Sequence, residues 1–103
     1  MNLSDVILNC NEYVDVDESI HMVFAKKIDN KFQSSSEAVV LKLSPEELEL
    51  KVGHISNSKC PGYTYFLEMF IIQDFWEGLK EANEYYSDKD IVNRVIYYAE
   101  FDA

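Results

Sequence analysis

The apolar positions of this chain follow helical spacing in some stretches and strict alternation in others. Leu3, Val6, Ile7, Cys10 and Val14 fall at helical spacing and predict a helix over about 3–13, with Asn2 or Ser4 as its cap. Asp15-Val16-Asp17-Glu18 follows as an acidic connection. From Ile20 to Ile28 two periods compete: Ile20, Met22, Phe24 and Ile28 alternate, while Ile20, Val23, Phe24 and Ile28 fit a helical face. The turn signal Asp29-Asn30-Lys31 directly afterwards favours a strand. Ala38-Val39-Val40-Leu41-Lys42-Leu43 is β-rich, and Leu48, Leu50 and Val52 alternate with Glu49, Lys51 and Gly53. With Ser44-Pro45-Glu46-Glu47 between them, these two runs predict a β-hairpin. The competing reading makes Ser44 and Glu47 a capping box that opens a short helix.

Asn57-Ser58-Lys59-Cys60-Pro61-Gly62 is the strongest break in the chain, and Tyr63-Thr64-Tyr65-Phe66-Leu67 suits a strand. The best helix covers about 69–86. Its apolar stripe is Ile72, Phe75, Trp76, Leu79, Ala82 and Tyr86, and Asp74, Glu77, Glu81 and Glu84 line the other side. Gly78 weakens it by about 1 kcal/mol relative to Ala. Ser87 and Asp90 can cap a last helix carrying Ile91, Val92, Val95, Ile96 and Ala99 on one side. A final strand through Tyr97, Ala99 and Phe101 is the alternative. The expected fold class is α+β: one domain over 1–103, a small, mainly antiparallel sheet covered by an N-terminal helix and a long amphipathic C-terminal helix.

Composition supports a folded domain. The chain has 103 residues, 48% of them hydrophobic, and its seven Tyr, six Phe and Trp76 give enough core material to exclude intrinsic disorder. No basic residue opens the N-terminus, and Val6-Ile7-Leu8 is far shorter than a secretory apolar region. The most apolar stretch, 65–72, is interrupted by Glu68 and falls short of the roughly 20 residues a bilayer requires. Cys10 and Cys60 read as two quiet thiols in a reducing compartment, with a single bridge between them left open. A cytoplasmic location is the expectation.

The net charge of −10 is concentrated at the chain ends. Residues 1–18 hold five acids (Asp5, Glu12, Asp15, Asp17, Glu18) and no base, and residues 74–103 hold eight acids against Lys80, Lys89 and Arg94. The stretch between has six of each sign and is neutral. Joined in space, the two ends make one negative surface. Such a field repels phosphate, so nucleic acid and anionic membranes are not expected partners. A basic protein is the natural one, its approach accelerated by charge.

Motifs for chemistry are missing. Gly53, Gly62 and Gly78 are too scattered for a phosphate loop, and no serine sits in a nucleophile-elbow context. Cys10, His21, His54 and Cys60 are not paired as zinc ligands are, and Asp15 with Asp17, Glu46 with Glu47 and Asp88 with Asp90 all fall in predicted turns. No catalytic residue, metal or cofactor is expected. The candidate interface is the row Asp74, Glu77, Glu81 and Glu84, about 15 Å along one helix face. Tyr85, Asp88 and Tyr97 stand beside it, with Asp15, Asp17 and Glu18 from the other end. Tyr85-Tyr86 and Tyr97-Tyr98 are adjacent pairs, so one of each is expected to face the core.

The segment Phe75-Trp76-Glu77-Gly78-Leu79-Lys80-Glu81-Ala82-Asn83-Glu84-Tyr85-Tyr86, with Ile96-Tyr97-Tyr98-Ala99-Glu100-Phe101-Asp102, resembles the C-terminal part of small immunity proteins from bacterial contact-dependent growth inhibition systems. The resemblance implies a cytoplasmic, non-catalytic protein that binds and neutralises a toxin domain; the sequence leaves its oligomeric state open, with a monomer in the complex as the expectation. For an acidic member the implied target is a basic nuclease toxin, ribonucleases included. It transfers no individual site residue. The alternative functions are a non-catalytic interaction module or homo-oligomeric subunit and, less specifically, a small enzyme or ligand-binding domain.

Overall fold

The computed structural model describes residues 1–16, 18–84 and 86–101. Among them are helix α1 (Leu3–Leu8), strands β1 (Ile20–Ala25) and β2 (Ala38–Leu43), helix α2 (Val52–Lys59), strand β3 (Thr64–Glu68), and helices α3 (Met69–Ala82) and α4 (Asp88–Phe101). Two 3-10 turns, Cys10–Glu12 and Glu47–Glu49, complete it.

The three strands form one antiparallel sheet in the order β2-β1-β3. β1 lies in the middle, and Met22, Val23, Phe24 and Ala25 are all buried. A strand covered on both faces carries no polar alternation, which is why its sequence fits two periods. Val23 and Ala25 face a large core built with Leu3, Val6, Ile7, Ile72, Leu79, Ile91, Val92 and Val95. Met22 and Phe24 face a smaller one with Leu43, Ile55 and Cys60. The β1–β3 register shifts between Val23 and Phe24, so Val23 pairs with Leu67 and Phe24 with Tyr65. That bulge lets consecutive Phe66 and Leu67 both enter the large core, with the Phe32 ring edge-on to Phe66 at 5.0 Å.

α1 begins with a reciprocal capping box: Asp5 N–H donates to Asn2 Oδ1 at 2.9 Å and Asn2 N–H to Asp5 Oδ2 at 3.1 Å. Leu3 and Ser4 N–H donate to the Ser36 and Ser34 carbonyls at 2.9 and 3.0 Å, so the serine loop before β2 anchors α1. The predicted turn after β1 is present: Asp29 and Asn30 have φ 52° and 65°, with Ile28 and Lys31 exchanging both backbone hydrogen bonds.

The predicted hairpin is absent. β2 pairs with β1, and the residues after Leu43 turn away from the sheet. Ser44 and Glu47 make the capping box (Ser44 N–H to Glu47 Oε1 at 3.0 Å, Glu47 N–H to Ser44 Oγ at 3.3 Å), opening the 3-10 turn. The chain then runs into α2, where only Ile55 and Ser56 are buried, while Leu50 and Val52 are exposed. Alternation over five residues carried too little burial to hold a strand.

α3 also stops before the predicted end. Asn83 adopts φ 52°, its N–H bonds the Lys80 carbonyl, and Glu84 N–H reaches back to Leu79 O at 3.1 Å. This Schellman arrangement closes the helix at Ala82. Ala82 is exposed, and Tyr86, expected in the apolar stripe, is 94% exposed. The last segment is helical rather than extended: Asp90 N–H donates to Ser87 Oγ at 3.2 Å, and Ile91, Val92 and Val95 enter the core.

Candidate functional site

Both chain ends lie on one side of the sheet. α1 packs against α4, and α3 against the Cys10–Glu12 turn. Two side chains of α3 lock this layer. The Trp76 indole donates to the Ile7 carbonyl at 2.9 Å, and the Gln73 amide donates to the carbonyls of Cys10 and Tyr13, each at 2.8 Å. The acidic ends are therefore neighbours.

Their carboxylates nevertheless differ in role. Asp5 closes the α1 cap. Asp15 accepts from His21 N–H at 2.9 Å and lies 2.8 Å from His21 Nδ1, tying Asp15 to β1, with the Tyr13 ring edge-on to the imidazole at 5.4 Å. Asp90 accepts from Tyr86 N–H and from Arg94 Nε, and Glu100 accepts from Phe32 N–H at 2.6 Å. Asp88 sits in the first turn of α4, where a negative charge favours the helix dipole. Glu18 is exposed and adopts φ 64°, while Asp17 and Tyr85 lie outside the described residues.

Asp74, Glu77 and Glu81 form no ion pair among the described residues, and all three are exposed on the face of α3 turned away from the core. They span about 10 Å along the helix. Glu84, expected as the fourth member, follows the helix end and leaves the row. Lys80 is held on the far flank, its ammonium 5.3 Å from the centre of the Trp76 ring. Phe70, not anticipated from sequence, precedes Asp74 by one helical turn on the same face and is 43% exposed. Its outward position could have been found by extending the acidic row backwards by four residues.

α4 contributes the aromatic side. Tyr98 turns in and packs beside Phe75, ring centres 5.7 Å apart. Tyr97 turns out, 61% exposed, against an equally outward Phe101 at 4.7 Å. Phe75, Asn93, Arg94, Tyr97 and Tyr98 line a groove between α3 and α4, and Tyr97 also borders a second groove with Phe32, Ile96 and Phe101. The structure thus gathers Asp74, Glu77 and Glu81 on α3 and Tyr97 on neighbouring α4, whereas Asp15 serves an internal bond.

Cys10 and Cys60 are free thiols buried in separate cores. Burial pushes the Cys10 thiol up to about 11 and raises Cys60 as well, which opposes the thiolate form. Burial and the Glu68 carboxylate 2.6 Å away hold the Tyr65 phenol above its usual range. Glu47 is lowered to about 2, chiefly by Lys59 at the end of α2 and then by the Ser44 backbone. Among the described residues there is no cluster of three His, Cys, Asp or Glu suited to a metal ion, and no helix is long and apolar enough to cross a membrane.

No protein-family model, curated protein or solved structure matches this chain.

Proposed function

We propose that this domain binds a basic protein and neutralises it, acting as an immunity protein against a toxin of nuclease type. One observation carries the binding role: Asp74, Glu77 and Glu81 stand in an exposed row without ion-pair partners among the described residues. Like charges three and four residues apart destabilise a helix by a few tenths of a kcal/mol per pair. A row that weakens its own helix and makes no ion pair among the described residues gains a rationale when lysines and arginines of another protein meet it. Carboxylates at this spacing offer a nuclease groove the negative charge it expects from phosphate. The immunity role adds the resemblance of the 75–86 and 96–102 segments to that class of proteins.

In this mechanism the negative layer formed by both chain ends speeds encounter, and close contacts on α3 and α4 slow release. The test is co-expression with the toxin domain encoded beside its gene. Protection of the cells, together with a complex of one copy of each protein, is the expected result. Full toxicity in the presence of the folded domain overturns the immunity role.

A further inference from the structure

Resting on the binding role above, we infer that the groove between α3 and α4 receives a large apolar side chain from a cationic segment of the partner, while that segment's basic residues meet the α3 row. Three features converge. The groove is walled by Phe75, Tyr97 and Tyr98, and Tyr97 keeps most of its ring in water. An exposed aromatic of this kind is a common interface anchor.

Second, Gly78 lies on α3 between Phe75 and the acidic row, one turn after Asp74. A Cβ placed on Gly78 would meet no atom within 4 Å. The helix surface is therefore bare there, and a backbone crossing from the carboxylates to the groove passes unobstructed. A glycine in mid-helix is otherwise unfavourable.

Third, charge decides the occupant. A second copy of this chain, itself carrying a net charge of −10, would bring its own acids against a row with no ion-pair partner among the described residues. The two nearby cations are occupied: Lys80 lies over Trp76 on the opposite flank, and Arg94 is bonded to Asp90 at 3.2 Å. A positively charged segment with one apolar anchor complements all of it.

The probe is a synthetic amphipathic helix of Lys and Leu, compared with a control of equal charge carrying Gln at every Leu position. Titration into the full chain, followed by calorimetry and by amide chemical shifts, is expected to show the Leu peptide binding about tenfold tighter. Its shifts should centre on Gly78, Asn93, Arg94 and Tyr97. Tyr97→Ala, at an exposed site, should reduce the advantage to within about twofold while leaving the control peptide unaffected. Equal affinities for the two peptides, or shifts that avoid the groove, overturn the inference and leave the acidic row intact. Binding by neither peptide removes the row and the groove together. A salt-insensitive dimer in light scattering that Tyr97→Ala dissolves assigns the groove to a second copy and also overturns it.

Discussion

The acids near the N-terminus and those along α3 make an instructive contrast. Asp5 and Asp15 each close short hydrogen bonds inside the fold, one capping α1 and the other fastening the following connection to β1. Asp74, Glu77 and Glu81 carry the same charge in the same layer and form no ion pair among the described residues. Net charge therefore marks a region, and the bonding of each carboxylate separates acids that hold the fold from acids that face solvent. Acids that hold the fold are destabilising to remove, whereas acids that face outward alone are neutral or slightly stabilising to remove.

The largest effect that separates these roles lies on the two sides of α3 itself. Ile72 is fully buried, so Ile72→Ala should lower unfolding free energy by about 2–5 kcal/mol in urea denaturation. Asp74→Ala, two residues later on the outer face, should shift it by less than about 0.5 kcal/mol. A loss of comparable size at Asp74 would mean the row has a structural partner. Next comes the cap. Asn2→Ala should cost about 1 kcal/mol by removing the acceptor for Asp5 N–H, and the thermal midpoint should fall accordingly.

Gly78→Ala sharpens the contrast from the other direction. With nothing within 4 Å of the added methyl, it should stabilise the protein by about 1 kcal/mol, yet weaken binding of the cationic partner. Higher stability with unchanged affinity would place the partner elsewhere. The smallest effect concerns Glu47, an acid that serves the fold outside both ends. Its folded pKa of about 2 lies below the ordinary value near 4.3, so its contribution is complete above pH about 4.3 and disappears as pH falls toward 2. The thermal midpoint gap between wild type and Glu47→Gln should be present at pH 7 and close in that acidic window.

Much of this contrast was legible in the sequence, and the parts that were not have physical causes. The α3 stripe was readable because a 3.6-residue period places Ile72 and Leu79 inside and Asp74, Glu77 and Glu81 outside. Its end was not, since Asn83 entering the left-handed region depends on two backbone hydrogen bonds that no periodicity encodes. The stretch 44–59 misled because Leu48, Leu50 and Val52 alternate by chance, while the capping box of Ser44 and Glu47, written in the same residues, governs the local chain. Asp15 is exposed, as expected, but its bond to His21 was not legible because the partner is six residues away along the chain. The row was visible as a helical repeat; the groove beside it needed α4 to be placed against α3.

Location rather than amount of charge is the central claim, and one paired measurement addresses it. The triple variant Asp74→Asn, Glu77→Gln, Glu81→Gln and a control triple, Asp29→Asn, Glu46→Gln, Glu49→Gln, change net charge equally. Association rates with a cationic partner protein should be followed by stopped flow at low and high salt. The account predicts at least about a tenfold slower on-rate at low salt for the α3 triple, fading as salt rises, and less than about a twofold change for the control. Equal slowing by the two triples would contradict it.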